Sequence, residues 1–189
     1  MSFKFVKTPL EDLVHIETQV HRDNRGFLFE IYRESDFKNA GIKENFVQLT
    51  TSESSKYVLR GLHYQINPCS QGKLVGVVSG SIFDVAVDIR KGSKTYGGYF
   101  DVELSAEKGN LLYIPVGFAH GFCALRDKTI MIYAPTSEYS GEYSRGIVWN
   151  DPEIGIKWPV GNPILSDSDA KYPKLSEAEN NFAYLKSQV

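Results

Sequence analysis

Short runs rich in Val, Ile, Tyr and Phe, each stopped by Gly, Asn, Asp or Ser, recur along most of this chain and leave little room for helix. Runs of this kind read as β-strands. They cover residues 14–20, 26–32, 46–51, 57–66, 73–78, 82–89, 98–104, 110–114 and 129–133. Many short strands with few helices imply an all-β antiparallel sandwich or barrel. Residues 73–89 read as a hairpin, with two β-rich arms around Ser79-Gly80-Ser81, where Gly80 can supply the positive φ of a tight turn. A short helix is expected over residues 34–40, ended by Gly41. Ser176-Glu177-Ala178-Glu179 has a capping-box pattern and predicts a final helix to about residue 187. With no repeat, linker or low-complexity tract, residues 1–189 read as one domain with a core over about residues 3–175.

Charge narrows the function. Lys and Arg number 21 against 23 Asp and Glu, a net charge of −2, so nothing recommends a nucleic acid or a membrane surface. Any anionic ligand must be held by a few local cations. No apolar run reaches transmembrane length, and the N-terminal residues lack the apolar core of a signal peptide. Cys69 and Cys123 make neither a metal-ligand spacing nor a disulfide framework. The expected location is the cytoplasm.

Two strand-like runs each contain one histidine: Leu59-Arg60-Gly61-Leu62-His63-Tyr64-Gln65 and Gly117-Phe118-Ala119-His120-Gly121-Phe122. Imidazoles suit proton transfer near neutral pH, and two on strands point to a polar site inside a barrel. Alternation puts Leu59, Gly61, His63 and Gln65 on one face and Arg60 on the other. For Arg60 and His63 to serve one site the strand must bulge, most cheaply at Gly61. Asp84 shares a face with Ile82 and Ala86, where a carboxylate needs a partner, His120 or another inward polar group, unless it lies on an edge strand and faces water.

Gly109, five residues, then Pro115-Val116-Gly117-Phe118-Ala119-His120 resembles the second motif of the cupins, which are small jelly-roll barrels. Metal-binding cupins carry an earlier His-x-His and a glutamate. Here His63-Tyr64-Gln65 and Cys69-Ser70 stand in those places, so no metal is expected. Asp23-Asn24-Arg25-Gly26, the His63 run, Gln71-Gly72-Lys73-Leu74-Val75, Asp84 to Arg90, Ile114 to Phe122, and Trp149-Asn150-Asp151-Pro152 with Trp158-Pro159 together resemble the dTDP-4-dehydrorhamnose 3,5-epimerase family. The resemblance runs from about Phe3 to about Leu175.

The resemblance implies an antiparallel jelly-roll, cupin-type barrel with short peripheral helices, acting without cofactor on a nucleotide-linked 4-keto-6-deoxyhexose. Removing a proton next to a ketone needs a base, a donor at the enolate oxygen, and an acid on the other ring face. By resemblance His63 is the base, Asp169 its partner, Lys73 the donor and Tyr133 the acid. Arg25 and Arg60 would hold phosphates, Glu30 and Gln48 the nucleoside, and His120 the sugar or phosphates, while Tyr139 stacks on the base and Thr50 also contacts the substrate. A homodimer exchanging N-terminal strands is also implied, and Phe3, Phe5 and Val6 form an edge that a partner would cover.

The chain departs from the family pattern at His21, Thr50, Gly76, Ser144 and Ser168, all at positions the family uses to hold the ligand. The proton chemistry is therefore expected to be kept, with the nucleotide or sugar open to change. The alternatives are an epimerase inverting only C3 or C5 of a related nucleotide sugar, and a non-catalytic sugar-nucleotide-binding module. A metal-dependent cupin oxygenase is disfavoured by the missing ligand pattern.

Overall fold

The computed structural model describes residues 2–184. Its strands are β1 Phe3–Lys7, β2 Val14–Thr18, β3 His21–Asp23, β4 Gly26–Leu28, β5 Thr50–Ser54, β6 Leu59–Gln65, β7 Lys73–Ser79, β8 Ser81–Asp88, β9 Tyr99–Ser105, β10 Leu111–Ile114, β11 Phe118–Ala124, β12 Thr129–Pro135 and β13 Ser144–Gly146. The α-helix α1 spans Glu34–Asn39 and ends before Gly41, whose φ is +93°. One sheet has the order β1-β2-β10-β7-β12-β5 and the other β13-β6-β11-β8-β9; β3 and β4 form a separate hairpin. The strand pairs within the sheets are antiparallel. From β5 onward each step along the chain crosses to the other sheet, save β8 to β9. This is the jelly-roll barrel expected of a cupin-type chain.

Side-chain alternation sorts the apolar residues into three layers. Val75, Val77, Ile82, Ala86, Leu112 and Phe118 fill the space between the sheets. Leu62, Tyr64, Val85, Val87 and Ile147 back the five-stranded sheet, while Leu74, Leu111 and Ile16 pack against Phe37 of α1 behind the six-stranded one. Strands buried on both faces read as near-continuous apolar runs, as β8 does.

The expected hairpin over residues 73–89 is not one. Gly80 has the positive φ anticipated, +78°, but β7 pairs with β10 and β12 while β8 pairs with β9 and β11. A left-handed glycine serves a corner between sheets as well as a hairpin turn, and a Cβ there would lie 2.4 Å from Thr129 Oγ1. The expected strand over 46–51 also shifts, since the ladder begins only at Thr50.

The final helix is absent among the described residues. Leu175–Glu177 is a turn and the chain then runs to Tyr184 without helix, with residues 185–187 of the expected helix outside the described range. Leu175 and Phe182 are buried behind the five-stranded sheet, and Phe182 O and Tyr184 N pair with the backbone of Lys91. These tertiary partners satisfy backbone groups that a helix would have paired internally, so local capping chemistry loses.

Candidate active site

β6 opposes β11 with a register shift. His63 faces His120, yet Arg60 faces Phe122, so β6 carries an extra residue around Gly61. Gly61 has φ +138°, and a Cβ on it would come within 2.5 Å of Gly121 Cα. Only glycine tolerates both conditions. The bulge brings Arg60 and His63 onto one cavity despite their odd spacing.

That cavity, about 400 Å³, opens between the two sheets. His63 and His120 enter from β6 and β11 of the five-stranded sheet, and Lys73 and Tyr133 enter from β7 and β12 of the other. Arg60, Tyr139 and Asp169 complete the predicted residues that line it. Imidazoles therefore stand on one wall, with a phenol and an ammonium on the other.

Each histidine is held by a buried carboxylate. His63 Nε2 is 2.7 Å from Asp169 Oδ1, and the side chains are 39% and 5% exposed, so the imidazole stands open to the cavity while the acid is nearly covered. Burial pushes the Asp169 carboxyl up, but the His63, Gly61 and Ser166 hydrogen bonds and the His63 charge outweigh it and hold it below its ordinary value. Asp169 is then an anion accepting Nε2–H, which leaves Nδ1 as the basic nitrogen of His63. His120 Nε2 lies 2.8 Å from Asp84 Oδ1, the partnership expected from the sequence. Burial lowers the His120 pKa despite the raising effect of Asp84, so this imidazole is a neutral donor to the carboxylate. Burial likewise lowers Lys73, against the pull of Asp84, to about 8. Asp84 Oδ2 and Ser52 Oγ are buried without hydrogen-bond partners.

Gln48 and Thr50 stand beside the cavity rather than in its lining. Gln48 accepts the Tyr139 backbone N–H at 3.1 Å and donates to Thr50 Oγ1 at 2.9 Å, and Thr50 pairs with Tyr133. Arg25 and Glu30 are not brought to the site in this chain. Arg25 forks onto Asp23 within the β3–β4 hairpin and is 85% exposed, while Glu30 pairs with Arg33. Of the departures from the family pattern, Ser144 and Ser168 line the cavity, but His21 lies on the exposed hairpin. Gly76 faces away from the cavity, where a Cβ would strike Leu111.

Gln65, Gln71, Ser52 and Tyr172 line the cavity without having been nominated. Gln65 shares the His63 face of β6, a legible signal; Ser52 and Tyr172 carried none. Gln65 accepts the Ser140 N–H at 2.8 Å and Gln71 donates to Ser137 O at 2.6 Å, so both shape the loop that bears Tyr139. Among the described residues no three His, Cys, Asp or Glu side chains converge as metal ligands, and no helix is long and apolar enough to cross a membrane.

Comparison with known proteins places this geometry. The family model described as dTDP-4-dehydrorhamnose 3,5-epimerase matches residues 7–177. A dTDP-4-dehydrorhamnose 3,5-epimerase of Shigella flexneri is 49% identical over 175 residues, covering 92% of this chain and 97% of the relative. The structure of a dTDP-6-deoxy-D-glucose-3,5-epimerase from Legionella pneumophila, in complex with dTDP-4-keto-L-rhamnose, superposes with a TM-score of 0.89 at 41% identity, covering 93% of this chain and 94% of that one. A 3'-monoepimerase from Streptomyces bikiniensis in complex with dTDP-quinovose gives 0.84 at 32% identity, covering 89% and 86%. The cavity with His63 and Tyr133 on facing walls thus sits in a chain that belongs to the dTDP-4-dehydrorhamnose 3,5-epimerase family.

Proposed function

We propose that this chain inverts both carbons flanking the 4-keto group of a dTDP-linked 4-keto-6-deoxyhexose, turning dTDP-4-dehydro-6-deoxy-D-glucose into dTDP-4-dehydro-L-rhamnose. The observation that carries this reading is the placement of the His63–Asp169 pair and Tyr133 on opposed sheets around one cavity. A ring lying between the sheets meets a base on one face and an acid on the other. His63 Nδ1 takes the proton from the carbon beside the ketone, the C–H electron pair moves into the carbon–carbon bond, and the carbonyl oxygen gains the charge. Lys73 donates a hydrogen bond to that oxygen, an interaction that strengthens as charge develops. Tyr133 returns a proton to carbon from the other face, and the double bond collapses back to the ketone. The His63 proton and the phenolate exchange with solvent before the next turn.

Arg60 is assigned to the phosphates, His120 to the sugar or phosphates, and Tyr139 with Gln48 and Thr50 to the nucleoside. Arg25 and Glu30 then act from a second copy of the chain, in a homodimer. Three features support this: the hairpin that carries Arg25 is exposed, Phe27 and Leu28 lie bare beside it, and β1 is an edge strand of its sheet. We assign the enzyme to the cytoplasm as a single domain, in keeping with its two free cysteines.

The test is incubation with dTDP-4-keto-6-deoxyglucose in deuterated water, read by NMR. Deuterium at C3 and C5 is expected. Label at one carbon assigns the chain to the single-inversion class, and binding without label assigns it to the non-catalytic one.

A further inference from the structure

One hydrogen bond fixes a point on an imidazole, not its plane. Asp169 holds His63 at Nε2 alone, so the direction of Nδ1 depends on what else touches the ring. Tyr172 makes that contact. Its ring meets the His63 ring edge-on, with centroids 5.7 Å apart and planes at 74°. Edge-to-face packing of this kind favours one orientation over rotation about the hydrogen bond.

The seat for this ring is built into the backbone. Gly146 of β13 pairs directly with His63, and a Cβ on it would stand 2.5 Å from Tyr172 Cδ2 and Cε2. The φ of Gly146 lies outside the left-handed region, so what keeps this position a glycine is the ring above it. Tyr172 itself is pinned from both sides. A 3₁₀ turn, Asp169–Lys171, precedes it, Pro173 confines it to extended backbone with φ −61° and ψ 148°, and Pro173 O accepts Val148 N–H at 2.8 Å. The segment that delivers Asp169 therefore delivers Tyr172 with it.

We propose that Tyr172, seated on Gly146, is a positioning residue that sets the plane of His63 for proton abstraction. The proposal rests on the epimerase reading above. It assigns Tyr172 no contact with the reacting atoms; the ring acts through His63, and a small misalignment of a reacting group is costly in rate.

Steady-state kinetics on Tyr172→Ala, Tyr172→Phe, Gly146→Ala and the Tyr172→Ala/Gly146→Ala double variant test this. Tyr172→Ala is expected to lower kcat about 10-fold with KM changed less than about 2-fold, and Tyr172→Phe to recover most of that loss. Gly146→Ala displaces the ring and costs a similar factor, but in the Tyr172→Ala background it costs nothing more. NMR of the His63 ring gives a readout independent of turnover: in Tyr172→Ala the Nε2–H tautomer held by Asp169 persists, but the ring samples more than one plane and its carbon-bound proton signals broaden by exchange. Wild-type kcat in Tyr172→Ala, a loss confined to KM, His63 ring signals as sharp as in wild type, or additive costs in the double variant would each overturn the proposal. A wild-type protein that exchanges no substrate protons defeats the epimerase reading instead, and the His63 line widths still judge the contact.

Discussion

Asp169 holds the side chain of His63 and the backbone of Gly61 at once, through Oδ1 at 2.7 Å and Oδ2 at 3.4 Å. In the proposed mechanism the carboxylate that orients the base thus also clamps the bulge that presents it. Asp169→Asn leaves the shape in place but removes the anion that stabilises the imidazolium and turns an N–H toward one of these two donors. The expected loss in kcat is about 100-fold or more, with KM little changed. Stability follows the same group. The Asp169 pKa is depressed on folding, so its contribution is present above the ordinary value of 3.8 and is lost as pH falls through the lower folded value. Melting curves should show wild type above Asp169→Asn at pH 7, with the gap closing below pH 3.8.

Lys73 runs the other way. Burial lowers its pKa from 10.5 to about 8, so the unfolded chain binds the extra proton between those values and the charged lysine opposes folding at neutral pH. Lys73→Met is expected to raise Tm by about 3 °C at pH 7, with the gain fading as pH rises from about 8 to 10.5, while kcat falls about 100-fold. The kcat/KM profile of the wild type should decline on the alkaline side around pH 8, and in Lys73→Arg that decline should move beyond pH 10 or vanish.

Tyr133 and His63 occupy different walls, which separates exchange from inversion. On the proposed mechanism Tyr133→Phe keeps the base and the enolate donor but loses the far-face acid. Such a protein should wash solvent deuterium into substrate while inverting at least 10-fold more slowly than wild type. His63→Ala should do neither and should melt as a folded protein. Exchange persisting in His63→Ala would remove it as the base.

The exposed hairpin offers a test of the dimer. Arg25→Ala and His63→Ala are each expected to be weakly active or inactive alone. Subunits mixed and allowed to exchange form dimers in which one site has both native residues, and activity should rise toward about a quarter of the wild-type value. No recovery, in a mixture whose mass shows heterodimers, would return Arg25 to its Asp23 partner and a local structural role.

How far the site could be read in advance depended on what each feature costs in isolation. The bulge at Gly61 was legible because Arg60 and His63 could not otherwise share a cavity, and the Asp84–His120 pair because a carboxylate between Ile82 and Ala86 must be partnered. The turn at Gly80 was legible as a turn, but which sheet each flanking strand joins is decided by residues far along the chain, such as Tyr113 against Leu74. The terminal helix failed for a related reason, since Lys91 supplies the pairing that residues 182–184 would have made locally. Tyr172 was invisible: its role depends on how the segment after Ser166 folds back over β13, and no periodicity records that.

Because the side chains assigned as proton acceptor and proton donor ride on separate sheets, the gap between them depends on the apolar filling that holds the sheets apart. Ile82, Leu104 and Leu112, all fully enclosed, would then act as spacers for a reaction they do not touch. Trimming or enlarging one of them resets the aperture across which a hexose must fit. Preference among ring puckers, and with it the number of centres inverted, is therefore open to drift through substitutions remote from the ligand.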